Sequence, residues 1–112
     1  MSELARQSIF RDPPRASVPL TGPHDDAILA ILDAPLRAGE TAHAGYRRKE
    51  YELGTLFAAL SPADARTLHA RLSSPRTGDL AAERFHLLVA ERRVRLLAFL
   101  ADAPRRAALA TR

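Results

Sequence analysis

Two pairs of residues have the spacing best suited to chemistry, Glu40-x-x-His43 and Glu83-x-x-His86. On a helix, positions i and i+3 share a face, so each pair can turn a carboxylate and an imidazole toward one metal ion. Two such pairs, with a glutamate from each of two further helices, form the two-metal carboxylate sites of some helical bundles. The remaining helical segments supply only Asp25, Asp26, Asp33 and Asp64, and Glu40 with His43 falls in a first helical turn. The plainer reading makes His43 and His86 solvent-facing or capping residues. The metal site therefore stands as an alternative, and no cofactor is expected.

Other chemistries have less to build on. With no cysteine, thiolate nucleophiles, thiolate metal ligands and disulfides are excluded. No Gly-x-Ser-x-Gly occurs, and the five glycines are scattered rather than gathered in a phosphate loop. Ser61, Ser73 and Ser74 have work as cap and loop residues. Tyr46 and Tyr51 read as one core and one rim residue. No catalytic residue is assigned, and the chain is read as a non-enzyme.

Charge offers a different route. The formal charge is +4, and residues 84–112 hold seven arginines against Glu91 and Asp102. All but one of the 17 basic residues is arginine, which with abundant alanine matches a GC-rich bacterial composition. A nucleic-acid reading would use Arg84, Arg92, Arg93, Arg95, Arg105 and Arg106. The segment from Pro62 through Arg95 resembles a helix-turn-helix only loosely. Its connection, Ser73 to Gly78, exceeds the usual turn, and Ala81, Ala82 and Phe85 stand where base-reading side chains belong. Aromatic residues make up only 5% of the chain, too few for a stacking platform.

The elements that would position these groups are helices. The chain has 112 residues, the size of one domain, and 46% of them are apolar. Alanine (22) and leucine (17) dominate, against three valines and three isoleucines, which favours helix over strand. A short helix is expected from Pro23 to about Asp33, with Ile28, Leu29, Ile31 and Leu32 apolar and two aspartates in its first turn. A second runs from about Glu40 to Leu60, with Tyr46, Leu53, Leu56, Phe57 and Leu60 as its stripe. Gly45 and Gly54 mark a close approach or a bend. Ser61-Pro62-Ala63-Asp64 is a strong start signal for a third helix, ending near Leu72. Asp79 caps a last, long helix from Leu80 to Ala103, ended by Pro104.

On that long helix Ala81, Phe85, Leu88, Val89, Leu96, Phe99 and Leu100 share one arc. Leu87, Val94, Leu97 and Ala101 form a second ridge on another side, more apolar perimeter than a small fold needs. Arg92 lies within the wide arc, so it must pair with Glu50, Glu52 or Asp64, snorkel, or meet another chain.

The expected architecture is therefore all-α, a small bundle of four to five helices with an extended, proline-containing N-terminal arm. Residues 1–23 form the arm, 24–103 the bundle and 104–112 a basic tail that frays. Leu4, Ile9 and Phe10 in the arm precede the stop at Asp12-Pro13-Pro14. The core is expected from Ile28, Ile31, Leu32, Leu53, Phe57, Leu60, Leu68, Leu72, Phe85, Leu88, Val89, Leu96 and Phe99. Met1 to Phe10 lacks the apolar run of a secretory signal, and Leu96 to Ala101 is far too short to span a bilayer, so a soluble cytoplasmic protein is expected. Its expected role is a non-enzymatic adaptor, assembly or regulatory module that binds another protein or itself through Leu87, Val94, Leu97, Arg92 and Arg93. Nucleic acid is the alternative partner.

Overall fold

Three side-chain oxygens determine where helices begin. Thr41 Oγ1 accepts from Ala44 N at 3.1 Å, Ser61 Oγ from Asp64 N at 3.1 Å, and Asp79 Oδ1 from Ala82 N at 3.0 Å. Each satisfies a backbone donor that the first turn leaves without an intrahelical partner. The computed structural model describes residues 18–110, and among them it holds six helices and no strand. In chain order these are α1 (Asp25–Leu32), α2 (Ala42–Ala58), α3 (Pro62–Leu72), α4 (Leu80–Phe85), α5 (Ala90–Ala101) and α6 (Ala103–Ala110). They form a small bundle. α5 packs between α2 and α3, while α1 lies against α2 and α4, and α6 against α3. No helix among the described residues is long and apolar enough to cross a membrane.

The core is continuous through the six helices. Ile28, Leu53, Phe57, Leu72, Phe85 and Leu100 are fully enclosed, with Leu32, Leu60, Leu68, Leu88 and Leu96 around them. Ile31 and Phe99 pack on this cluster while half-buried. Tyr46, assigned to the stripe of α2, is exposed instead, with the Lys49 ammonium 5.5 Å from its ring centre. Of the two readings of Gly45, a close approach by a neighbouring helix or a bend, the structure shows a close approach, but from a loop rather than a helix. A methyl of Leu36, from the loop before α2, occupies the space a side chain there would need. Lys49 also closes the end of α1, donating to the Leu32 carbonyl at 2.7 Å.

A buried ion pair joins four parts of the chain. The Arg71 guanidinium on α3, 3% exposed, donates through Nε and Nη2 to the Asp79 carboxylate at 3.0 and 2.9 Å. It also donates to Asp25 on α1 at 2.8 and 3.0 Å, and to the Leu20 carbonyl at 3.2 Å. Burial works against the charge, but the hydrogen bonds that Arg71 donates to both carboxylates and their negative charge outweigh it and hold the guanidinium pKa above its ordinary value. Asp79, wholly enclosed, serves twice, as cap of α4 and as partner of Arg71.

The long last helix does not exist as one piece. The amides of His86, Leu87 and Leu88 bond to Ala82, Arg84 and Phe85, tightening the end of α4 into a turn. Val89 then takes an extended conformation (φ −62°, ψ 150°) and starts α5. Two side chains hold the break. Arg93 donates to the carbonyls of His86 and Leu88, and His86 Nε2 lies 2.9 Å from the Leu72 carbonyl at the end of α3. The break resets the helical phase, so the two apolar arcs expected on one cylinder belong to two short helices. Phe85 and Leu88 become buried, but Val89, expected in the core, is 61% exposed. Leu87 (74%) and Val94 (65%) are also exposed, whereas Leu97 packs against the core. They do not form a ridge.

Both ends of the expected domain also move. The basic tail does not fray from Pro104. Residues 103–110 form α6, with Pro104 in its first turn, where a missing amide donor does no harm. Ala103 is buried, and the Arg106 guanidinium stacks 3.6 Å from the centre of the Phe99 ring. At the other end, Val18 is buried and its carbonyl accepts from Arg76 at 2.6 Å, so residues 18–23 belong to the bundle. The helical turns expected around Leu4, Ile9 and Phe10, and the stop at Asp12-Pro13-Pro14, lie outside the described residues.

Two substitutions test this account by urea denaturation. Arg71→Met leaves Asp79 enclosed without its cation and is expected to lower stability by about 3–5 kcal/mol. Phe57→Ala, which opens a cavity at the centre of the core, is expected to lose a similar ~3–5 kcal/mol.

Candidate functional site

One turn of α2 lacks a side chain, and a cavity opens beside it. Nothing lies within 4 Å of the position a Cβ would take on Gly54. Between α2 and α5 this leaves an open groove of about 650 Å³, within the range of ligand-binding clefts. His43, Arg47, Glu50, Tyr51 and Gly54 line it from α2, and Val89, Glu91, Arg92, Arg95, Leu96 and Phe99 from α5 and the residue before it. Tyr51, 77% exposed, lines the α2 wall, and Val89, 61% exposed, lines the other.

Glu50 bridges the two walls. Its carboxylate accepts from Arg92 Nη1 at 2.8 Å and from Arg95 Nε and Nη2, both at 2.7 Å. Arg95 also reaches Glu91, one turn earlier on α5, at 3.0 Å. Hydrogen bonds from Arg95, then Arg92, hold the Glu50 pKa below the usual carboxylate range against the opposing effect of partial burial. The same contacts raise Arg95. Of the three acceptors expected for Arg92, Glu50 is the one it uses. Arg47 and His43, one turn apart on the groove lining, have no hydrogen-bond or ion-pair partner among the described residues.

The residues singled out from the sequence fall in different places. Of the expected partner-binding set, only Arg92 lines the groove. Leu87 sits in the turn after α4, Val94 is exposed on α5 but does not line the groove, Leu97 packs inward, and Arg93 is spent on the turn carbonyls. The two Glu-x-x-His pairs do not converge. Glu40 precedes the cap of α2, so it is not on the helix at all. It accepts from Arg48 Nε and Nη2 at 2.9 Å and from the Arg37 amide at 2.9 Å. His86 is held by the end of α3 and does not line the groove, as His43 does. Among the described residues no three His, Asp or Glu side chains are placed to hold a metal ion.

Each arginine of the nucleic-acid reading has a partner within the chain, Arg84, Arg95 and Arg105 at the surface. Arg84 pairs with Asp33 at 3.2 Å and Arg105 with Asp102 at 3.5 Å. Arg92 and Arg95 share Glu50, Arg93 binds the turn, and Arg106 covers Phe99 and donates to its carbonyl. The helix expected to read bases, α4, ends after six residues.

Sequence reasoning gave Tyr51 a rim position and Gly54 a close approach or a bend, but placed neither of them, nor Arg47, in a site. Their signal was present nonetheless: Arg47, Glu50, Tyr51 and Gly54 stand at i, i+3, i+4 and i+7, one face of α2 distinct from its Leu53 and Phe57 stripe. Compared with protein-family models, with curated proteins and with solved structures, the chain matches none. The geometry alone therefore carries the functional reading.

Two expectations follow from the site. Gly54→Ala places a methyl in open space within a helix and is expected to raise stability by about 0.5–1 kcal/mol in urea denaturation. Glu40 is held at about 2 by its hydrogen bonds to Arg48 and the Arg37 amide, and Glu50 is also lowered. For groups depressed in the folded state, the stabilisation is full above the unfolded value, 4.5 for glutamate, and is lost as pH falls toward the folded one. The urea midpoint should therefore decline between pH 4.5 and 2, and the decline should be shallower in Glu40→Gln/Glu50→Gln.

Proposed function

We propose that the protein is a non-enzymatic protein–protein interaction module, an adaptor, assembly or regulatory protein, that receives its partner in the α2–α5 groove. The observation that supports this is the pair of largely exposed apolar side chains, Tyr51 and Val89, on the lining of an open groove whose charged rim is already in place. A buried aromatic anchor surrounded by ordered polar groups is the usual make-up of a binding hot spot. Here the aromatic is exposed in the isolated chain, and the rim needs no rearrangement, which reduces the entropy lost on association.

The rim chemistry fits binding better than catalysis. Glu50 accepts three hydrogen bonds from two guanidiniums and is held ionised, which makes its carboxylate a weak base. A role in the cytoplasm goes with this reading.

Placing a photo-crosslinking amino acid at position 51, and in a control at position 66 on α3, tests the assignment in the native host. The groove reading expects one discrete adduct from position 51, absent from position 66 and lost when Gly54→Trp fills the groove. Equal labelling from both positions, or an adduct unaffected by Gly54→Trp, would overturn it.

A further inference from the structure

We infer that the groove takes an acidic amphipathic helix from another protein, with apolar side chains between Tyr51 and Val89 and a carboxylate against Arg47. This rests on the groove reading above and names the chemistry of its occupant. The rim carries three guanidiniums, Arg47, Arg92 and Arg95, against two carboxylates, Glu50 and Glu91. Both carboxylates are already engaged by Arg92 and Arg95. The unmatched charge is thus localised on Arg47, with the His43 imidazole one turn away on the same face of α2. An incoming carboxylate would meet a guanidinium free to form a charge-assisted, bidentate contact without breaking an internal pair.

The same charge count decides against other occupants. A second copy seated face to face would set one positively unbalanced rim against another, on chains each carrying +4. A nucleic acid presents phosphates in a row, whereas the described rim offers a single free guanidinium between apolar walls. An apolar helix face laid between two helices, oriented by a charged neighbour, is a familiar recognition mode. The electrostatic part acts chiefly on partner choice and on the association rate, and the apolar contacts hold the complex.

The test uses the full chain and a displayed library of randomised 16-residue peptides. The selected consensus peptide is then synthesised and titrated by fluorescence anisotropy against the unmodified chain, Arg47→Glu and Gly54→Trp. Thermal melting confirms that both variants fold, since both positions line the open groove. The expected result is enrichment of Asp or Glu beside Leu or Phe, binding weakened tenfold or more by Arg47→Glu, and recovery with a peptide whose acidic residues are changed to Lys. Peptides that bind equally to the Arg47→Glu chain, but not to Gly54→Trp, would overturn the acidic assignment and leave the groove intact. Peptides indifferent to Gly54→Trp would overturn the groove reading itself. Two parallel measurements cover the rival occupants: a dimer in light scattering abolished by Gly54→Trp, or tight, steeply salt-dependent binding of a 16-base-pair DNA duplex in place of peptide, would each overturn the proposal.

Discussion

Most of this bundle is organised around one guanidinium. Arg71 is nearly sealed from solvent, where an unpaired charge is very unfavourable, so every donor direction it turns inward must find an acceptor. The acceptors come from the segment before α1, the first residue of α1 and the cap of α4. Two stretches of chain about 50 residues apart, Leu20 to Asp25 and Arg71 to Asp79, are thereby brought to one point in one geometry. Leucines and alanines supply the driving force for collapse, but they tolerate sliding. A bidentate contact with Asp79 and another with Asp25 do not, because small displacement leaves charges buried and unmatched.

With α1, α3 and α4 fixed by that cluster, the direction of α5 depends on the turn between Phe85 and Ala90. The turn is stabilised from outside itself, by Arg93 reaching back from α5 and by His86 reaching the end of α3. It sends α5 between α2 and α3 and brings Arg92 and Arg95 onto Glu50. The groove follows from that docking. Two helices held together through a charged bridge at Glu50, with no side chain at Gly54, cannot close over the gap between them.

How much of this was legible in the residues varies with the type of signal. Ser61 and Asp79 announced their helices because a cap is a local interaction within four residues. Leu53, Phe57, Leu68 and Leu72 were identifiable as core from periodicity alone. The helix break was not, since no glycine or proline marks it, and an unbroken cylinder accounted for the leucines equally well. That error created the apparent ridge of Leu87, Val94 and Leu97 and placed Val89 in the core. Arg71 passed unnoticed because a single arginine on a polar stretch gives no hint that two carboxylates, 46 residues before it and 8 after, will converge on it. The Glu-x-x-His spacing misled for a related reason: a shared face requires both residues to be on the helix, and Thr41 begins α2 after Glu40.

Residue types and short-range spacing therefore determined the helical class, most helix starts and the identity of the deepest apolar residues, because propensity, capping and amphipathic burial all act over a few positions. Long-range packing alone decided where the last helix breaks, which arginines find carboxylates and which remain free, and where two helices stand apart. Those outcomes depend on directions in space between residues tens of positions apart, and a linear pattern holds no record of them.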